Sequence, residues 1–437
     1  MRKYLLLGFI LVGCERPFVE RAQPVLEIVE PDLSHVQTSR IISILVRSSH
    51  FQALNDIVLN GAPMKPSPSG PNYWEISVGL RRGLNTFYID VTDLEGETNR
   101  DTAYTVYLPH SISEDAPHLP EGRGGHSIVR LVDGNLMISG GARRRGGPAQ
   151  RGSFILTQNS NAFIDMNAPL QTPRTGHTAN VLPDNRILIV GGSRVDDPSN
   201  VNDLIETVEL IDPLSSNPTF TNLPVQGQPI RRAYHTSTLR ESSDELILDL
   251  IGGVGDVRYD DDPILGIRQD IRSFRIEPTQ LVALNSRASA PMIFEPISGH
   301  TVTQTRSNSY ILLGNQFWNQ FQVNVNMRIT YVQPSGLSLV QLPQLITPRT
   351  AHSSVRILRG FIATFGGQNQ LSNIISSVDI LHESSNLFFS LTPSTPMVPR
   401  VEHTTISAGL GSVLLVGGFG PDGTAITTSE YLRVSSE

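Results

Sequence analysis

The sequence predicts an all-β chain: a β-propeller of six repeats preceded by a small β-sandwich. The first observation is the stretch PRTGHTANVLPDNRILIVGG at 173–192. It reads as a polar–apolar alternating strand, an Asp184-Asn185 turn, a continuous apolar strand at 187–190 and a closing glycine pair. The second is that this stretch is written six times. Its histidines are His126, His177, His235, His300, His352 and His403, spaced 51, 58, 65, 52 and 51 residues apart. The third is where the copies differ in length. The first closing glycine (Gly140, Gly191, Gly314, Gly366 or Gly417) follows its histidine by 14 residues, but Gly252 follows by 17, with the extra residues in the polar turn 241–245. Insertions confined to turns are what stacked supersecondary units predict, and strand-built units of about 50 residues predict propeller blades.

The closing glycine pairs, the apolar run before them and the Pro-Arg-x-x-His lead-in of copies two, five and six resemble the kelch family over 109–437. The resemblance implies four strands per blade, the first innermost. Copy four departs from it, with Ile297 for the arginine and Asn315 for the second glycine. Copy six ends one strand short. The segment before copy one aligns with fourth-strand segments elsewhere, so residues around 111–114 are expected to complete the last blade and spare it an open edge.

The chain begins with Arg2-Lys3 and a short apolar run at 5–12, a targeting segment too short to span a membrane. It ends in Leu11-Val12-Gly13-Cys14, which resembles the lipobox of bacterial lipoproteins. The resemblance implies cleavage after residue 13, lipidation of Cys14 and a tether over 14–23. Cys14 is the only cysteine, as suits an exported chain that keeps one thiol for acylation. The expected location is the bacterial cell envelope, lipid-anchored at the outer membrane, facing periplasm or surface. Residues 24–108 show six short strands separated by turn signals such as Asn60-Gly61 and Glu95-Gly96, and resemble a bacterial Ig-like module.

Net charge is −7, which gives no reason to expect nucleic acid as partner. The repeated histidines lie too far apart on six blades to share a metal and are expected to bond backbone between blades. The arginines three before them, Arg123, Arg174, Arg232, Arg349 and Arg400, are expected to bond carbonyls of the neighbouring blade. In kelch propellers the loops between second and third strands share a face that commonly binds partners. Here they span 142–152, 193–203, 254–269, 316–322, 368–373 and 419–426. Candidate binding residues on them are Arg143, Arg144 and Arg145; Tyr259, Asp260 and Asp261; Phe317, Trp318 and Phe321; and Phe419. Arginine and aromatic side chains make binding hot spots, and tryptophan stacks on sugars.

Enzyme motifs are mostly missing. There is no GxSxG, and Gly253–Arg258 and His382–Asn386 fail the GxGxxG and HExxH patterns at their last positions. The copper-radical oxidases among kelch proteins need a Tyr–Cys crosslink that this chain cannot form, and no cofactor is expected. The reading is an envelope lipoprotein whose loop face binds a protein or glycan without chemistry. The alternatives are an epimerase-like carbohydrate enzyme with its site at the channel mouth, or an envelope scaffold. Carboxylates converging with a histidine or tyrosine at one mouth would favour the enzyme.

Overall fold

The computed structural model describes residues 26–437 except 49–53, 95, 97, 159, 243, 258–263, 286–289, 306–308, 319–320, 333–335, 410 and 436–437. Cys14 and the leader lie outside the described residues, as do Tyr259, Asp260 and Asp261. The chain divides into two units. The first holds 26–33, Ile41–Leu80 and Thr86–Tyr104; the second holds Ser34–Arg40, Arg81–Asn85 and Thr105–Glu437.

Two four-stranded sheets build the first unit. One centres on Ile41–Ser48 and Tyr73–Gly79, the other on Leu54–Leu59 and Gly83–Asp93. Alternate residues point inward, so Ile42, Ile44, Val46, Phe87, Ile89 and Val91 are buried while their neighbours face solvent, as period-two patterning requires.

In the second unit the repeats become six antiparallel sheets. The stretch at 173–192 gives Thr178–Val181 and Ile187–Val190, followed by Val208–Ile211 and Thr221–Leu223 in the order of the chain. Ile187–Val190 is buried throughout, because both of its faces are covered by neighbouring sheets. Sheet three adds Val225–Gln226, parallel to Leu281–Ala283. Sheet six is finished by His110–Ser113, which pairs with Ser429–Val434 in the register Ile112↔Leu432. The fourth strand of the last sheet thus comes from the segment ahead of the first.

Two sets of contacts join each sheet to the next and a third joins five of the six pairs, all following the repeat. The residue before each histidine donates its N–H to the same residue of the preceding repeat: Gly176 to Gly125, Tyr234 to Gly176, Gly299 to Tyr234, Ala351 to Gly299, Glu402 to Ala351 and Gly125 to Glu402. These N···O distances are 2.7–3.2 Å, and they form a closed annulus. The second residue of each closing pair donates to the carbonyl of the next repeat's arginine position, from Gly141 to Arg174 (2.9 Å) round to Gly418 to Arg123 (2.8 Å). Asn315 fills the same role in sheet four, donating to Arg349 at 2.9 Å.

The histidines form the third set. Nε2 of His177, His235, His300, His352 and His126 is hydrogen-bonded to the hydroxyl of Ser127, Thr178, Thr236, Thr301 and Thr404 respectively, at 2.8–3.2 Å. That hydroxyl always belongs to the residue after the preceding repeat's histidine. The partner at Nε2 is thus a side chain, while the expected backbone contact with the preceding repeat is made by His300 to Ile251 and His352 to Leu313. For the sixth, His403, the corresponding Ser353 is bonded to Thr405 instead. Burial holds all six imidazoles below their usual range, His126 and His300 at about 3, so they remain neutral.

The arginines also correct an expectation: they bond within their own sheet. Arg174 donates to the carbonyls of Gly191 (2.8 Å) and Thr207 (3.1 Å) and to the carboxylate of Glu209. Glu209 accepts in turn from the N–H groups of Gln171 and Thr172 on the lead-in. Asp379 and Glu430 serve Arg349 and Arg400 in the same way, and Asp270 takes Arg232 through two bonds. Each clamp ties the lead-in to the second and third strands of one sheet. The reason is reach: the guanidinium points along its own sheet, and its backbone carbonyl is what meets the neighbour.

The first closing glycine sits at this junction. Gly191 has φ +65°, and a Cβ there would lie 2.4 Å from the Arg232 carbonyl oxygen. Gly314 is not in the left-handed region, and its Cβ would meet nothing nearer than 3.1 Å. Gly191→Ala is therefore expected to cost about 3 kcal/mol or more and Gly314→Ala about 1 kcal/mol. Urea unfolding of the two variants checks this, and equal losses would contradict the proposed role of the pair.

Candidate functional site

The annulus surrounds an axis, and four of its six residues (Gly125, Gly176, Gly299 and Ala351) leave that axis open. The other two, Tyr234 and Glu402, project side chains. Tyr234 lies over Gly176, where a Cβ would meet its ring at 3.0 Å, and Glu402 lies beside Gly125, where a Cβ would meet Oε2 at 3.2 Å. All six hold positive φ where glycine is easiest, and the non-glycine members lie between 52° and 54°. The ring's closure imposes this strain at Tyr234, Ala351 and Glu402.

Tyr234 and Glu402 converge on Asp196, from the loop after Ile187–Val190. Asp196 is buried and accepts from the Tyr234 hydroxyl at 2.6 Å and from the Gly146 N–H at 2.9 Å. The Tyr234 oxygen accepts from the Asp197 N–H at 3.0 Å. The Glu402 carboxyl lies beside Asp196, and its buried Oε2 has no hydrogen-bond partner among the described residues. Burial first, and then the adjacent Asp196 charge, push Glu402 well above the usual carboxylate range, with Arg145 opposing. Burial, followed by Glu402 and Asp196, likewise pushes the Tyr234 phenol upward.

Above this floor opens a cavity of about 500 Å³. Its walls carry Arg145, Gln316, Gln368, Asn369, Ser298 and Thr350, with Phe317 and Val254 as apolar patches. Arg145 Nη2 donates to Gln368 Oε1 at 2.8 Å, which fixes a charged donor from sheet one's loop to sheet five's. The donors are cationic or amide, Glu402 Oε2 is a deep oxygen without a partner among the described residues, and one aromatic edge is available: a site for a polar, hydroxyl-rich molecule.

Of the candidate residues, Arg145 and Phe317 meet at this cavity. The three arginines separate. Arg143 turns outward to Glu121 at 2.8 Å, and the backbone of Arg144 bridges to Thr424 in sheet six's loop. Trp318 lies in the hairpin Asn315–Trp318/Phe321–Asn324, but its side chain and that of Phe321 fall outside the described residues. Phe419 is a correction. It follows a closing glycine pair, exchanges backbone hydrogen bonds with Val401, and is fully buried with its ring against Gly124. No ligand could reach it. Tyr234, Asp196 and Glu402 were missed. The available signal was in the repeat: copies three and six break the small-residue rule just before the histidine. Among the described residues, no three metal-ligating side chains gather.

A solved structure, that of YjhT, a kelch-type β-propeller, matches 74% of this chain and 98% of its own length at 14% identity, with a TM-score of 0.54. The fold is a β-propeller. No family model and no curated protein matches the chain.

Proton retention at Glu402 has a measurable sign. Its raised value means the folded protein binds a proton that the unfolded chain releases near pH 4.5, so this group's contribution to stability is lost as pH rises above that point. Glu402→Gln keeps the shape without the titration. The variant is expected to match the native protein at pH 4 and to exceed it by on the order of 1 kcal/mol at pH 8. Thermal melts across that range check this; a gap constant with pH would contradict it.

Proposed function

We propose that the chain is a six-bladed kelch-type propeller carried on an Ig-like module, held in the cell envelope through a lipidated Cys14. Its loop face binds a glycan, without chemistry, in the axial cavity. The observation that carries this reading is the cavity itself: recessed, polar and about 500 Å³, within the range that holds a sugar-sized ligand. A protein partner would need a broad face with an apolar centre; among the described residues Phe419 is buried and Arg143 turns away to Glu121, while Arg145 and Phe317 meet in the recess. Rigid walls tied by ring hydrogen bonds lose little freedom on binding, which favours affinity from a few contacts.

One observation supports the carbohydrate-enzyme alternative. Glu402, Asp196 and Tyr234 form the convergence of carboxylates and tyrosine that acid–base work on a sugar would use.

The test is a glycan array with the full-length protein in detergent micelles, beside Arg145→Ala and Tyr234→Phe. Captured glycans are expected to bind at least tenfold more weakly to Arg145→Ala and to be recovered unchanged by NMR. Capture indifferent to Arg145 would move the site off the axis. A captured sugar recovered as an isomer or cleavage product would establish the enzyme instead.

A further inference from the structure

The arginine clamps are not all complete. In sheets two, three, five and six the second terminal nitrogen meets a carboxylate of its own sheet: Glu209, Asp270, Asp379 or Glu430. In sheets two, five and six that carboxylate stands two residues after the carbonyl that accepts from Nη1, which belongs to Thr207, Ser377 or Thr428. In sheet one the accepting carbonyl belongs to Gly152, at 3.3 Å, and two residues on stands Phe154. Arg123 lies over that ring at 4.3 Å from its centre and is only 1% exposed. The nearest carboxylate, Glu121, is 3.7 Å from its Nη2 and is engaged by Arg143 at 2.8 Å. A buried guanidinium whose sister residues each hold an anion has only a ring face and a shared, distant one.

A cavity of about 610 Å³ opens beside it, separate from the axial one. Phe154, Gly152, Arg143, Arg151, Gln150 and Glu121 line it. Gly152, which lines the cavity, is the point of approach: a Cβ there would lie 3.5 Å from Arg123 Nη2, with only the edge of the Phe154 ring nearer, at 3.1 Å. Arg143 and Arg151 line this space with Glu121 and Asp165, and Arg123 lies just behind Gly152.

We infer that this cavity is a second binding site, for a small organic carboxylate that supplies Arg123 with the counter-charge other sheets provide internally. The ligand's carboxylate accepts from Nη2 of Arg123, and Arg143 and Arg151 face its exposed side. This site does not depend on the glycan reading of the axial cavity.

The test is thermal unfolding of the full-length protein against acetate at constant ionic strength set with chloride, with acetamide as the uncharged isostere. Acetate is expected to raise the melting temperature saturably and acetamide not to. Phe154→Glu installs the missing internal carboxylate and is expected to abolish the acetate effect. Arg143→Ala, at a side chain 61% exposed and therefore safe for folding, is expected to weaken it several-fold, because Glu121 is then free to turn to Arg123. No saturable rise, an equal rise with acetamide, or an undiminished rise in Arg143→Ala or in a folded Phe154→Glu would overturn the inference.

Discussion

The closed annulus of backbone hydrogen bonds just before the six histidines is the constraint on which the second unit depends. Each residue in it donates to one neighbour and accepts from the other, so no repeat can be moved without breaking two bonds. A single such bond is worth only about 1 kcal/mol net. Closure changes the consequence, because the last bond, Gly125 to Glu402, joins the two ends of a chain segment nearly 280 residues long. The left-handed backbone at all six positions is the conformational cost of pointing N–H and C=O around the ring.

Everything outside the annulus is arranged to hold it. The closing residues let the carbonyl at the next repeat's arginine position approach closely, and five of the six neutral histidines reach back to hydroxyls one repeat behind. The arginine clamps then fix the lead-in of each sheet to its own strands. A planar guanidinium can bond two carbonyls and a carboxylate at once, which an ammonium on a flexible stem does poorly. This gives part of the reason why the chain has only two lysines, Lys3 and Lys65. Histidines that stay neutral also set an acid limit: below about pH 6.5 the unfolded chain takes up protons that the folded one refuses, and stability falls.

What could be read in the sequence was whatever the repeat shows six times. Histidine spacing, glycine pairs and buried second strands announce themselves by recurrence, and the missing outer strand of copy six points to its donor near residue 111. The site was hidden for the same reason. Tyr234 and Glu402 are departures at a position otherwise held by small residues, and their meaning depends on the ring that brings them to Asp196. Arg143, Arg144 and Arg145 looked like one patch because they are adjacent, yet the bend at Arg143 and the turn closed by Gly147 N–H on the Arg144 carbonyl send the first and last into different cavities. Phe419 looked exposed because it starts a loop, but the paired bonds to Val401 make it the last residue of the framework. The direction of the arginines was misjudged because spacing alone does not tell a side chain's reach from its backbone's.

The most direct measurement is native-state amide exchange at Gly125, Gly176, Tyr234, Gly299, Ala351 and Glu402. If these six donors form one closed ring, they exchange together, at the slow rate of global unfolding and with a common dependence on denaturant. One or more of them exchanging many-fold faster through local opening, while the rest stay protected, would contradict the closed ring.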